Sequence, residues 1–252
     1  MPAESRELTD TVVAVTGASS GIGAATAQPL LDVGAKAAIQ ARRRDRLDAL
    51  ASKFGADNVL VVTGDVQNPD SATELVNQAV DRFGRLDSMV VNAGIGMYGG
   101  ILDRSDHDLQ TMIRTNVEGT VWAVRAAAAQ LRRVPDAGGD IIIVSSVDGL
   151  RGGANEAVDA ATKFAQVGLS GSLDREVRSE GIRVTTICPA GVPHLIRDRR
   201  RPHRRRRALD DYLQPEDVAH AIATVQRQPR RVRSTQWQLW RWDKAVDRAD
   251  AH

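Results

Sequence analysis

The chain predicts an α/β fold: a doubly wound parallel sheet between two layers of helices, three-layer α/β/α, in a single domain spanning residues 1–252. Three observations predict it. Apolar runs of strand length alternate with segments of helical period along most of the sequence, the sign of repeated β-α-β units. A glycine-rich stretch, Gly17, Gly21 and Gly23, lies between the first apolar run and the first helical segment. The 252 residues, 42% of them hydrophobic, suit one such domain and supply enough apolar side chains for a substantial core.

The elements follow in order. Val12 to Val15 is the first strand and Ile22 to Val33 the helix after it, with Pro29 expected to kink its last turns because proline lacks the N–H a helix needs. Ala37 to Ala41, Val59 to Val62 and Leu86 to Val91 read as strands two to four. A long helix is expected around Leu109 to Leu131, a fifth strand over Ile141 to Ser145, and a second long helix over Asp159 to Glu180. Val184 to Cys188 is the sixth strand and Trp237 to Trp240 the last. No internal repeat interrupts this plan, and only the arginine-rich stretch near residue 200 resembles low complexity.

The charge is uneven. Residues 197–207 hold eight arginines against one aspartate, a local +7, so with a net +2 the remainder carries +2 − 7 = −5. The basic character is thus confined to one segment. No stretch reaches the ~20 apolar residues of a membrane span, and the first residues lack the apolar core of a secretory signal. The one cysteine, Cys188, precludes an internal disulfide and suits a reducing compartment, so a soluble cytoplasmic protein is expected.

Several motifs point to a nucleotide site. The stretch Thr16-Gly17-Ala18-Ser19-Ser20-Gly21-Ile22-Gly23 stands where glycines let a backbone approach a pyrophosphate and where a helix N-terminus favours its charge. Asn92-Ala93-Gly94 follows the fourth strand, and Ser146 follows the fifth. Thirteen residues beyond Ser146 comes Asp159-Ala160-Ala161-Thr162-Lys163. Together these resemble the short-chain dehydrogenase/reductase superfamily over roughly residues 8–240, with its TGxxxGxG loop, its NAG motif, a serine, and Tyr-x-x-x-Lys. Asp159 stands where that superfamily has its tyrosine.

The resemblance implies a Rossmann-type fold, a nicotinamide cofactor and a set of site residues. Cofactor contacts are implied for Gly17, Ser19, Ser20, Gly21, Ile22, Gly23, Asp65, Val66, Asn92, Ala93, Gly94, Lys163 and Pro189. Asn116 takes the place of an asparagine that props a water beside the lysine, and Ser146 that of the serine which binds the substrate oxygen, with Ser145 as the neighbouring alternative. Strand two ends in Ala41 followed by Arg42, Arg43 and Arg44. Planar guanidinium groups there suit a 2′-phosphate, whereas a carboxylate would suit free ribose hydroxyls, so NADP(H) is expected. After strand six, Pro189-Ala190-Gly191-Val192-Pro193-His194 departs from the relatives' Pro-Gly-x-Val-x-Thr.

Asp159, Lys163, Ser146 and Asn116 are therefore the candidate catalytic residues, with Tyr98, Ser146 and His194 facing the substrate. A carboxylate beside Lys163 is expected to titrate below its usual range unless burial opposes this. Ionised, it gives no proton to an alkoxide, which argues against ordinary ketone reduction. It suits a cationic iminium awaiting hydride, or a general base for a non-redox cyclisation or isomerisation. A surface Asp–Lys pair four residues apart on a helix, in a nucleotide-binding scaffold without catalysis, is the remaining reading.

The substrate is expected to be a small molecule. Residues 193–213, where relatives carry a substrate lid, hold the arginines, which fit either an anionic or carrier-bound substrate or a solvated loop. No nucleic-acid recognition fold accompanies them. The resemblance implies a homodimer or homotetramer through the two long helices.

Overall fold

The structure, a computed structural model, describes residues 5–133, 138–192 and 212–242. Seven strands form one parallel sheet: β1 (Val12–Thr16), β2 (Lys36–Ala41), β3 (Val59–Thr63), β4 (Ser88–Val91), β5 (Gly139–Val144), β6 (Ile182–Pro189) and β7 (Gln236–Leu239). Their order is β3-β2-β1-β4-β5-β6-β7. The two halves of the sheet wind outward from β1 and β4, which opens a crevice beyond the carboxyl ends of the central strands, the usual ligand position in such sheets.

The helices are α1 (Gly21–Asp32), α2 (Arg44–Ala51), α3 (Pro69–Phe83), α4 (Asp106–Ile113), α5 (Gly119–Leu131), α6 (Ala157–Val177) and α7 (Pro215–Arg227). Alternation along the strands builds two cores. Val13 and Val15 of β1, Ile39 of β2 and Ile142 of β5 pack with Leu30 of α1, Leu47 of α2 and Ile222 of α7. Val12, Ala14, Met89, Ile141 and Ile143 face the other way, against Leu75 of α3, Val124 of α5 and Val177 of α6. Strands buried on both faces read as unbroken apolar runs, which is why the sequence locates them closely.

Three expectations change. The helix expected over residues 109–131 is interrupted by a wide turn of π type at Arg114–Glu118, which separates α4 from α5. The helix expected from Asp159 begins at Ala157, so Asp159 lies in its first turn. Helix α1 continues through Pro29 to Asp32, one residue short of the expected end, because the proline falls in its last turn and few bonds depend on it. Helices α2, α3 and α7 complete the two layers. Asn68 caps α3 through its side chain, followed by Pro69, and Gly84 ends it in the left-handed region.

A buried ion network closes the amino ends of the strands, opposite the crevice. Asp140, 2% exposed, accepts Arg183 Nε at 2.6 Å, Arg6 Nη1 at 2.9 Å and Arg230 Nη1 at 3.3 Å. Arg183 Nη1 in turn donates to the carbonyls of Gln228, Pro229 and Val232, tying the segment after α7 to β6. Removing one member of such a pair leaves a buried charge uncompensated. Asp140→Ala is therefore expected to lower the unfolding free energy by about 3–5 kcal/mol in urea titrations, while the exposed pair partner Asp48→Ala should change it by less than about 1 kcal/mol.

Candidate active site

The glycine loop is shaped by Asn92. Its Nδ2 donates to the carbonyls of Thr16 at 3.0 Å and Gly17 at 3.4 Å, while the N–H groups of Asn92 and Ala93 donate to Thr16 Oγ1 at 3.0 and 3.1 Å. Gly17 has φ 70°, and a Cβ there would lie 2.8 Å from Ala93 Cα. A Cβ at Gly23 would lie 2.4 Å from both Asn92 Nδ2 and the Gly17 carbonyl oxygen. Gly21, by contrast, opens α1 with nothing within 4 Å of where a Cβ would stand. The N-cap Ser20 makes no side-chain capping bond. The result is a bare backbone face against the open N-terminus of a twelve-residue helix, which fits a dinucleotide pyrophosphate. Ile22 anchors this turn in the core.

The ends of β2 and β3 adjoin that loop. Arg43 Nη2 donates to Ser19 Oγ at 2.8 Å and Ser20 Oγ at 3.1 Å, which brings its guanidinium and two hydroxyls together at an exposed point. Arg42 turns instead toward Asp65, with 3.9 Å between Nη1 and Oδ2. Asp65 also accepts the Gln67 N–H, and Val66 packs on the backbone of Gly119.

Asn116 sits in the π turn and is fully buried. Its Oδ1 accepts the Ile95 N–H at 2.9 Å; its Nδ2 donates to the Ile95 carbonyl at 2.8 Å and to Thr162 Oγ1 at 3.0 Å. The Asn116 carbonyl accepts Gln166 Nε2 and Thr120 Oγ1. These bonds join the loop after β4 to the head of α6. Asp159 and Lys163 are carried there, with Lys163 Nζ 3.6 Å from where a Gly94 Cβ would stand and Asp159 Oδ2 3.5 Å from the same point at Gly96.

Ser146 and Ser145 separate cleanly. Ser145 is buried and donates to the Lys163 carbonyl, a structural role. Ser146, half-buried after β5, donates to Asp148 Oδ2 at 2.9 Å and accepts the Asp148 N–H at 3.1 Å. Cys188, beside them at the end of β6, is fully buried, and that burial pushes its thiol up to about 11.

The electrostatics decide one conditional expectation, and burial prevails. Burial raises the Asp159 carboxyl above its ordinary value; Lys163 opposes this and Asp148 adds to it. Asp159 Oδ1 is buried and has no hydrogen-bond partner among the described residues, and loss of hydration outweighs the attraction of the lysine. Burial likewise lowers Lys163, against the pull of Asp159, Asp148 and Cys188. Among the described residues no ion pair joins Asp159 to Lys163, and Asp159 is half-buried, which removes the surface-pair reading.

Residues 11–204 match the family model described as short chain dehydrogenase. The chain belongs to this family. It is 32% identical over 225 residues to an uncharacterized oxidoreductase of Staphylococcus aureus, covering 89% of this chain and 94% of that one. A counterpart from Staphylococcus haemolyticus, also an uncharacterized oxidoreductase, is 31% identical over 226 residues, 90% and 95% of the two chains. Among solved structures, an alcohol dehydrogenase from Thermococcus sibiricus complexed with 5-hydroxy-NADP superposes with TM-score 0.81 at 27% identity, covering 91% of this chain and 95% of that chain. A 3-ketoacyl-(acyl-carrier-protein) reductase from Brucella melitensis complexed with NADH has the same TM-score of 0.81 at 23% identity, over 92% and 97%, a likeness of fold. The protein is thus a short chain dehydrogenase-type oxidoreductase of a family that uses nicotinamide cofactors.

Most of the sequence-derived site residues converge at one end of the sheet. Pro189 ends β6 there and is buried. A narrow cleft beside Asp159 is lined by Met97, Gly99, Arg104, Met112 and Val158, the residues on either side of Tyr98 among them. The Tyr98 carbonyl accepts a bond from Arg104. His194 and the arginine-rich segment lie outside the described residues. Asp148 and Gln166 were not singled out from the sequence. A Ser-x-Asp spacing after a strand is the local signal for Asp148, since a serine so placed bonds the residue two ahead; Gln166 gives no signal without the fold.

The raised Asp159 carboxyl has a consequence for stability. A group whose folded pKa lies above its unfolded value contributes most below the unfolded pKa, and that contribution is lost as pH rises through the folded pKa. Asp159→Asn should therefore melt at a higher temperature than the parent at pH 7 and converge with it near pH 4, measured by thermal denaturation without cofactor.

Proposed function

We propose that the protein is an NADPH-dependent reductase of small-molecule biosynthesis acting on a C=N bond, an iminium or a similarly cationic carbon. Asp159 is the observation that carries this reading: a carboxylate with a buried, unpartnered oxygen at the head of α6, where burial disfavours its charge. Such a group gains more from a cationic partner than a solvated one would, because the charge it lacks water for is met by the substrate.

The chain's residues divide the work. Gly17, Gly21 and Gly23 with the start of α1 hold the pyrophosphate, and Arg43 with Ser19 and Ser20 takes the 2′-phosphate, supported by Arg42. Asp65 and Val66 bound the adenine side. Lys163, beside Gly94, holds the ribose, and Pro189 backs the nicotinamide. The reduced nicotinamide supplies hydride when bound. Ser146 orients the substrate, and Asp159 stabilises positive charge at the carbon that receives hydride. A homodimer or homotetramer through α5 and α6 and a cytoplasmic location complete the reading.

The raised Asp159 carboxyl also favours a second reading, a non-redox cyclase or isomerase with Asp159 as general base, since a base works best when its pKa lies near the working pH. Consumption of NADPH separates the two. The test offers the full chain NADPH with a protonated cyclic imine and follows loss of reduced nicotinamide. Turnover that falls at least ~100-fold in Asp159→Ala supports the first reading; full turnover in that variant overturns it.

Cofactor choice is tested by fluorescence titration. NADPH should bind well and NADH much more weakly, and Arg43→Ala should weaken NADPH ~10- to 100-fold while leaving NADH nearly unchanged. Equal affinity of the parent for both would overturn the assignment of the 2′-phosphate to Arg43.

A further inference from the structure

Ser146 has one proton and two lone pairs to offer. The proton is committed: Ser146 Oγ lies 2.9 Å from Asp148 Oδ2, and a carboxylate has none to give in return. One lone pair is committed as well, to the Asp148 N–H at 3.1 Å. What remains for a substrate is a single lone pair. Both bonds come from one short turn, Val147–Gly149, for which Ser146 is the N-cap, so they are local and form together.

The consequence is chemical. A carbonyl oxygen needs a donor, and Ser146 in this arrangement does not donate outward. A substrate with an N–H at its reacting centre finds an acceptor there. We propose that Asp148 is a specificity-determining positioning residue: by holding the Ser146 proton, it presents the serine to substrate as an acceptor and so selects a protonated nitrogen over a bare carbonyl oxygen.

The choice of favoured ligand rests on the cationic-substrate reading above; the committed state of the Ser146 hydroxyl does not. Asp148 also bears on its neighbours electrostatically. Its charge opposes ionisation of Asp159 and supports the protonated form of Lys163, as expected for a carboxylate facing the same crevice.

The test uses the full chain with and without NADP⁺ and two probes of equal ring size, pyrrolidine, protonated at pH 7, and cyclopentanone. Affinities are read by ligand-detected NMR titration, which needs no turnover. The parent should bind pyrrolidinium more tightly than cyclopentanone. Asp148→Ala should weaken pyrrolidinium and tighten cyclopentanone, each about tenfold, the scale of one hydrogen bond made or lost. Asp148→Asn keeps an acceptor oxygen and should keep the parent's preference. In a Ser146→Ala background, Asp148→Ala should no longer change cyclopentanone binding, because its effect acts through the serine.

Cyclopentanone affinity that ignores Asp148→Ala, or that responds equally without the Ser146 hydroxyl, overturns the proposal. So does an Asp148→Asn protein that melts like the parent yet binds like Asp148→Ala. Asp148→Gly replaces the alanine variant should that one fail to fold. A parent that prefers cyclopentanone, with Asp148→Ala still tightening it through Ser146, overturns the cationic-substrate reading and leaves the role of Asp148 standing.

Discussion

The site depends on one buried side chain, Asn116. Its amide reads both the N–H and the carbonyl of Ile95 and reaches Thr162 on α6, so three bonds fix two segments that meet nowhere else in sequence. Thr162 passes the constraint on by donating to the Asp159 carbonyl at 2.7 Å. Only a planar amide has an acceptor and donors side by side for this purpose. A π turn is what turns that amide inward; turns of this kind occur mostly at functional places in helices. The positions of Asp159, Lys163, Gly94 and Gly96 relative to one another follow from that knot.

The two ends of the sheet treat charge in opposite ways. At the amino ends, Asp87 and Asp140 are buried but fully engaged by arginines and backbone N–H groups, as Val12 N and Arg85 do for Asp87. Those carboxylates stabilise the fold only because each has its partners. At the carboxyl ends Asp159 Oδ1 is buried with no hydrogen-bond partner among the described residues, and burial disfavours its charge. A buried carboxylate with a raised pKa in a crevice is the pattern expected of an active site.

Much of this was legible in sequence, and the parts that were not have physical reasons. The strands were, because β1, β4, β5 and β6 are buried on both faces and each carries a run of apolar residues. The glycine loop was, because only glycine tolerates the approach of Asn92 at Gly23 and the positive φ of Gly17. The break in the helix at Asn116 was not, since it is set by bonds to Ile95 and Gln166, distant in sequence. Helix α2 escaped because only Leu47 in it is buried, which leaves no periodic stripe to read. The direction in which Asp159 titrates stayed conditional on burial for a related reason. The charge of Lys163 is visible four residues away, but the loss of water around Asp159 is a property of the whole packed crevice.

On the proposed reading Asp159 meets a cationic substrate, and Asp148, by engaging the Ser146 hydroxyl, leaves that serine only a lone pair to offer. In that arrangement the Ser146 oxygen offers a substrate one lone pair, while Lys163 lies close to Gly94. The glycine loop with its Asn92 clamp, and Arg43 with its two serines, form a surface whose geometry fits a dinucleotide. If the substrate is cationic, as proposed, the hydrogen bonding around its reacting atom is inverted relative to that around a carbonyl, while the source of hydride stays where it was.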